Sequence, residues 1–354
     1  MQNKENANEN KKIENNHKQT GLANLGNTCF INSILQILLR IPDLNNLLDN
    51  TSYFEKLNNN LNSLVLLEWD LLRKEMLKET HDFLSPIKFI KIIHNVSRIK
   101  NINIFAGYYQ NDIQEFLLFL IDCFHLALKH DVNITINGNP QTEQDEIALK
   151  CYSMVKKTYE NDYSPFFNIF YGISISKITN LNGEILSITP ETFSSIDLPL
   201  PSMETNKNPS LENCFDLFTS NETLEGDNMY FDEKLGQKIV AIKKLIFWSL
   251  PNILIIDLKR YNHRMMKLQQ LLNFNLENLD LSKYVIGYNK NQYVYDLIGI
   301  CNHSGGTSGG HYTSFVKDLN KNKWYYCNDT QVIEINDTSQ LITPKAYCLF
   351  YKKK

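Results

Sequence analysis

Near residue 130 the hydrophobic period of the chain changes, and this limits the fold more than any other feature. Upstream, apolar residues recur at three- and four-residue spacing. Ile31, Ile34, Leu35 and Leu38 follow Asn27 or Thr28 as caps, and Pro42 ends that helix. Leu61, Leu64, Leu67, Leu71 and Leu72 mark a second helix over about 52–78, and Ser85-Pro86 opens a third over 84–96. Within Gln110–Leu128, Phe116, Leu117, Leu120, Phe124 and Leu128 form a buried stripe. Downstream, 131–146 is a polar loop or edge. From about 164 short strand-like runs dominate, among them FFNIFYGISIS, KIVAIKKLIFW, ILIIDLKRY, YVYDLIGICNH, YTSFVKD, KWYYCN and AYCLFYK, with one helix at 211–220. A helical half followed by a mostly antiparallel sheet half predicts an α+β fold.

Composition narrows the function. The 354 residues suit one large domain or two modest ones, and 43% hydrophobic content supports a real core. A net charge of -3 argues against nucleic acid as a partner. No run approaches the roughly eighteen apolar residues that span a bilayer, so no membrane partner is expected. Residues 1–19 are almost entirely polar, lack an apolar signal core and are expected to be disordered. Seven cysteines occur at 29, 123, 151, 214, 301, 327 and 348, with no C-x-x-C. Their odd number and spacing suit neither a disulfide frame nor a zinc knuckle, so a reducing, intracellular setting (cytoplasm or nucleus) is expected.

Within GLANLGNTCFINSILQILLRIP, Cys29 stands where a loop of glycines and asparagines becomes a helix. A lone cysteine is usually a small core residue. In the first turn of a helix, however, free N–H groups and the helix dipole favour a thiolate. Asn24 can present a side-chain N–H to a developing oxyanion. A base is available in HSGGTSGGHYTSFV, where His311 enters a strand behind a glycine-rich turn that also holds Gly305, Gly306, Gly309 and Gly310, with Gly299 further back. Asn328 and Asp329 follow seventeen and eighteen residues later. A strand out and a strand back would return either to the imidazole as its orienting acceptor.

These segments resemble those of the ubiquitin-specific protease family, the papain-like deubiquitinases. GLANLGNTCFINSILQ resembles its cysteine box and CNHSGGTSGGHYTSFVKD with KWYYCNDTQVIEI its histidine box. GYYQNDIQEFLLFLID, LEGDNMYF, KKLIFWSLPNILIIDLKRY, LDLSKYV and AYCLFYKKK fall in family order over 20–354. The resemblance implies a papain-like fold with a helical thumb (about 20–130) and, over about 160–354, an antiparallel-sheet palm and β fingers. It implies Cys29 as nucleophile, His311 as base, Asn328 as the third member through His311 Nδ1, Asp329 as a supporting acid and Asn24 in the oxyanion hole. Asp112 and Glu115 match acids that meet the basic tail of ubiquitin, and Gln110 matches a glutamine beside the centre. Gly310 and Tyr312 would line the tail channel. His303 and Ser304–Gly309 fall at the family's blocking loop.

The implied reaction is hydrolysis of peptide or isopeptide bonds after the C-terminal glycine of ubiquitin, with ubiquitin and ubiquitinated proteins as partners and a monomeric enzyme. A ubiquitin-like modifier as substrate and an inactive ubiquitin-binding module are the alternatives. Many family members hold the fingertips with zinc on two C-x-x-C pairs. Here SISKITNLNG has no cysteine, and Asp232 and Leu235 take the second pair's places in YFDEKLGQ. No metal and no cofactor are therefore expected.

Overall fold

The computed structural model describes residues 19–202, 207–306 and 309–354. The expected disordered tail lies outside the described residues apart from Gln19. That residue is buried, and its Nε2 donates to Glu79 (2.6 Å) and Asp318 (3.4 Å), so the folded region begins ahead of the expected boundary.

The two-residue strand β1 (Gly21–Leu22) pairs in parallel with β2 (Phe83–Leu84) and leads into α1 (Cys29–Leu38), every residue of which is buried. Pro42 does more than stop α1: it opens α2 (Pro42–Asp49), where its missing N–H costs nothing. The helix expected over 52–78 is two elements, a 3-10 turn over Thr51–Lys56 and α3 (Leu61–Leu77). Asn60 divides them, its Oδ1 accepting the N–H groups of Asn62 (2.9 Å) and Ser63 (3.2 Å). The face that α3 buries is Val65, Leu66, Trp69 and Met76, whereas Leu64 and Leu71 are 42% and 57% exposed. Next come α4 (Ile87–Ile99) and α5 (Ile113–Leu128), whose five-residue stripe is buried as expected.

The helical region continues past residue 130. The segment expected as a polar loop ends at Thr142, which with Asp145 forms a capping box opening α6 (Glu143–Tyr159). Ile147, Ala148 and Cys151 of α6 pack on a sheet, described below, that carries Ile173, Ile175 and Trp248. A short α7 (Phe166–Phe170) takes the start of the first expected strand run.

The fingers begin with β3 (Gly172–Thr179) and β4 (Ile185–Phe193), and β5 (Ile196–Pro199) returns to the palm. After α8 (Leu211–Phe218) come β6 (Glu222–Leu224), the hairpin β7 (Tyr230–Asp232) and β8 (Gln237–Ile239), and β9 (Ala241–Ser249). The antiparallel order is β4-β3-β9-β6. At the two tips of the fingers, side chains close the turns. Asp232 accepts the N–H groups of Lys234 and Leu235 (2.8 and 3.2 Å), and Asn180 accepts those of Asn182 and Glu184 (3.0 and 2.9 Å).

The palm follows as β10 (Ile253–Lys259), β11 (Leu279–Asp280), β12 (Val294–Gly306), β13 (Gly309–Asp318), β14 (Lys323–Asn328), β15 (Gln331–Ile335) and β16 (Ala346–Lys353). Its order is β15-β14-β13-β12-β16-β10-β5, with β11 on β12 and β5 parallel to β10. The centre of the sheet is buried on both faces. Ile253 and Ile255 pack in the core shared with the helices, while Leu254, Ile256 and Leu258 belong to the core containing α8. This explains the unbroken apolar run ILII. Helix α1 lies so close over β12 that a Cβ on Gly299 would stand 3.0 Å from Ile37, so this glycine serves packing and not the glycine-rich turn.

Inside the helical region Arg73 is fully buried and bonded to Asp70 (2.6 Å) and Asp49 (2.7 Å), while Asp70 also accepts from Lys74 and Tyr53 (both 2.7 Å). Burial opposes ionisation of Asp70, but the bonds from Lys74, Arg73 and Tyr53 outweigh it and hold the carboxyl below its ordinary value. That contribution to stability is full above the unfolded-chain pKa and is lost as pH falls through the lowered value. Arg73→Ala leaves the buried Asp70 carboxylate with only Lys74 and Tyr53 as partners, and urea unfolding is expected to register a loss of about 3–5 kcal/mol at neutral pH.

Candidate active site

Three distant segments meet at the N-terminus of α1. Cys29 is the first residue of that helix and is 3% exposed, and its Sγ accepts the backbone N–H of Tyr312 at 3.5 Å. Burial pushes the thiol pKa above its ordinary 9.0; the Tyr312 N–H opposes this and the charge of Asp329 adds to it. The N–H groups of Cys29 and Phe30 at the helix start do favour the thiolate, as expected, and burial works against them.

His311 lies on β13 and Asn328 is the last residue of β14. The Asn328 Oδ1 is 2.7 Å from His311 Nε2. The expected contact was with Nδ1. The β13–β14 ladder pairs Ser314 with Cys327, so Asn328 stands level with Thr313, two residues along from His311. The farther ring nitrogen spans that diagonal.

Asp329 begins the turn, at a left-handed φ of 49°, and faces away from the imidazole. Its Oδ2 accepts from Asn24 Nδ2 (3.0 Å), its Oδ1 from Asn32 Nδ2 (2.8 Å) and its backbone oxygen from the Leu22 N–H (2.8 Å). Asn24 Oδ1 in turn accepts the N–H groups of Gly26 and Thr28, both at 3.1 Å. The Asn24 amide is thus held at both ends, which leaves one N–H on Nδ2 uncommitted. Asn32 was not anticipated. Its signal was a polar residue one turn after Cys29, on the helix side that also carries Gln36.

A cavity of about 260 Å³ opens beside these residues, lined by Gln110, Asp112, His303, Gly309, Tyr312 and Tyr347 among others. Gln110 Nε2 donates to Gly310 O (2.9 Å) and its Oε1 accepts the Gly310 N–H, closing a clasp across the cavity mouth. Asp112 caps α5, its Oδ1 accepting the Gln114 N–H (2.8 Å), while its Oδ2 accepts the Tyr347 hydroxyl (2.7 Å). Tyr347 is another residue the sequence did not single out. Glu115 is exposed in the first turn of α5, outside the cavity lining. His303 is buried near the tip of the β12–β13 hairpin, stacked on Tyr312 with ring centroids 4.5 Å apart. Residues 307 and 308 of the expected blocking loop lie outside the described residues. Among the described residues no group of three or more His, Cys, Asp or Glu is placed to hold a metal ion.

Helices packed on an antiparallel sheet, with the cysteine on one and the histidine on the other, define the papain-like α+β class. Solved structures share this fold. A SAGA DUB module bound to monoubiquitin gives a TM-score of 0.72 at 23% identity, covering 96% of this chain and 70% of that one. A second, bound to ubiquitin aldehyde, gives 0.70 at 24% identity, covering 95% and 69%. The profile of the family described as "Ubiquitin carboxyl-terminal hydrolase" matches residues 20–351, and the chain belongs to that family. Ubiquitin carboxyl-terminal hydrolase 2 of Homo sapiens is 32% identical over 342 residues, 94% of this chain. The chain spans 54% of that relative's length and 93% of the Gallus gallus protein of the same name, also 32% identical.

The raised thiol pKa has a direct readout. Alkylation of Cys29 by iodoacetamide, followed by peptide mass mapping, is expected to be slow at pH 7 and to keep rising beyond pH 9. A plateau reached below pH 7 would mean a preformed thiolate.

Proposed function

We propose that this chain is a thiol-dependent deubiquitinase that cleaves the peptide or isopeptide bond after the C-terminal glycine of ubiquitin. The observation that carries this is the convergence at one helix terminus of the Cys29 thiol, the His311–Asn328 pair and an Asn24 amide braced by Asp329. Family membership and the likeness to ubiquitin-bound modules support the choice of substrate.

In this mechanism Asn328 holds His311 through Nε2, and Nδ1 takes the proton from Cys29. The sulfur attacks the glycine carbonyl carbon, and the free Asn24 N–H together with the α1 terminus stabilises the oxyanion. Collapse breaks the C–N bond, and the imidazolium returns its proton to the leaving lysine amine. Water, deprotonated by His311, then attacks the thioester. The products are the glycine carboxylate and the restored thiol. Asp112 and Glu115 supply negative charge for the arginines of the ubiquitin tail, although Asp112 also caps α5.

A ubiquitin bearing a C-terminal electrophile is expected to label Cys29 in wild type and not in Cys29→Ala, with probes of related modifiers labelling weakly. Preferential labelling by another modifier would reassign the substrate. Asn24→Ala is expected to lower kcat by about 10²–10³. Asp329→Ala should cost at least as much, because it also releases Asn32, and the double variant little more than Asp329→Ala alone, because the carboxylate braces the amide.

A further inference from the structure

Lys267 lies outside every motif so far considered, yet its ammonium reaches into the site. Its Nζ stands 2.9 Å from His303 Nδ1 and donates to the His303 carbonyl oxygen at 2.7 Å. A lysine ammonium only donates. His303 Nδ1 must therefore be the acceptor, which leaves the ring neutral with its proton on Nε2. That nitrogen has no hydrogen-bond partner among the described residues. His303 is 5% exposed and lines the cavity. The ring is also fixed by its neighbours. It stacks on Tyr312 at an interplanar angle of 27° and meets Tyr347 edge-on, with centroids 5.6 Å apart. Gly310 leaves no slack on the Nε2 side, for a Cβ there would stand 2.3 Å from that atom.

We infer that Lys267 is a positioning residue that locks His303 as an Nε2–H donor into the cavity, where it binds a backbone carbonyl of the extended peptide leading to the scissile glycine. This rests on the proposed function and adds a residue to its substrate site. A thin peptide lacking side chains at its end offers carbonyls as its main handles, so a preset donor suits it. The surrounding charges favour the same state. Burial and then the Lys267 charge lower the His303 pKa to about 4 against the opposing charge of Asp112. Burial, Arg260 and Lys345 lower that of Lys267 to about 8. Between those values the ring is neutral and the amine charged, and above about pH 8 the lock weakens.

The tautomer and the donor are tested separately. In wild type at pH 7, ¹⁵N-histidine NMR is expected to show His303 protonated on Nε2 only, and Lys267→Met to give a mixture of tautomers. Lys267→Arg, which keeps a charged donor, should preserve the wild-type pattern. With a fluorogenic ubiquitin amide, Lys267→Met should raise KM about tenfold, one lost hydrogen bond, with kcat within about twofold. His303→Gln carries an amide N–H near the Nε2 position without needing a tautomer. In that background Lys267→Met should change KM by less than about twofold. A wild-type His303 protonated on Nδ1 overturns the lock. A correct tautomer with unchanged KM in Lys267→Met overturns the donor role. Wild type inert toward the ubiquitin substrate, with the NMR pattern intact, refutes the deubiquitinase function and with it the peptide ligand.

Discussion

The Asp329 carboxylate ties the two halves of the molecule together at the point where they must agree. One oxygen takes the Asn24 amide from the loop before α1, and the other takes Asn32 from α1 itself. The carboxylate sits in the turn directly after Asn328, which holds His311. The helix carrying the thiol and the strands carrying the imidazole are therefore referenced to adjacent residues of one turn. Charged acceptors form the stronger class of hydrogen bond, and here one group makes two of them. A displacement of α1 along its axis would stretch both at once.

That anchoring is needed because α1 is an unusual helix. It is buried on every side, between α5 and the palm, so it has no solvated face to set its rotation. Its polar side chains perform that task. Asn32 reaches Asp329, and Gln36 donates to the Thr20 carbonyl at 2.9 Å. On the palm side, Gly299 admits Ile37 at close range. Apolar packing then supplies the adhesion, while these few polar contacts choose the register.

The cavity next to the thiol is organised by aromatic and ionic contacts of a different kind. Tyr347 connects its walls, donating to Asp112 and lying edge-on to both His303 and Tyr312. Tyr312 in turn presents its N–H to Cys29. Tyr312 thus lines the cavity with its side chain and contacts Cys29 with its backbone. The walls of the cavity and the position of the sulfur are coupled through one residue.

Much of this was legible in the sequence, and the exceptions have identifiable causes. The α+β class, the α5 stripe and the run of palm strands follow from hydrophobic period, because burial of one face leaves that pattern in any chain. Cys29 at a helix start, His311 beyond a glycine-rich turn and the Asn328-Asp329 pair are also readable, because local conformation places them. Helix α6 was readable in principle from its Thr142–Asp145 capping box and from Ile147, Ala148, Cys151, Met154 and Val155 at helical spacing. By contrast, the exposed face of α3, the choice of Nε2 on His311, the double bond to Asp329 and the pairing of Lys267 with His303 depend on which distant surfaces meet. Local sequence states which groups can donate or accept. Only the tertiary structure brings residues 24, 32 and 329, or 267 and 303, within the short range over which a hydrogen bond acts.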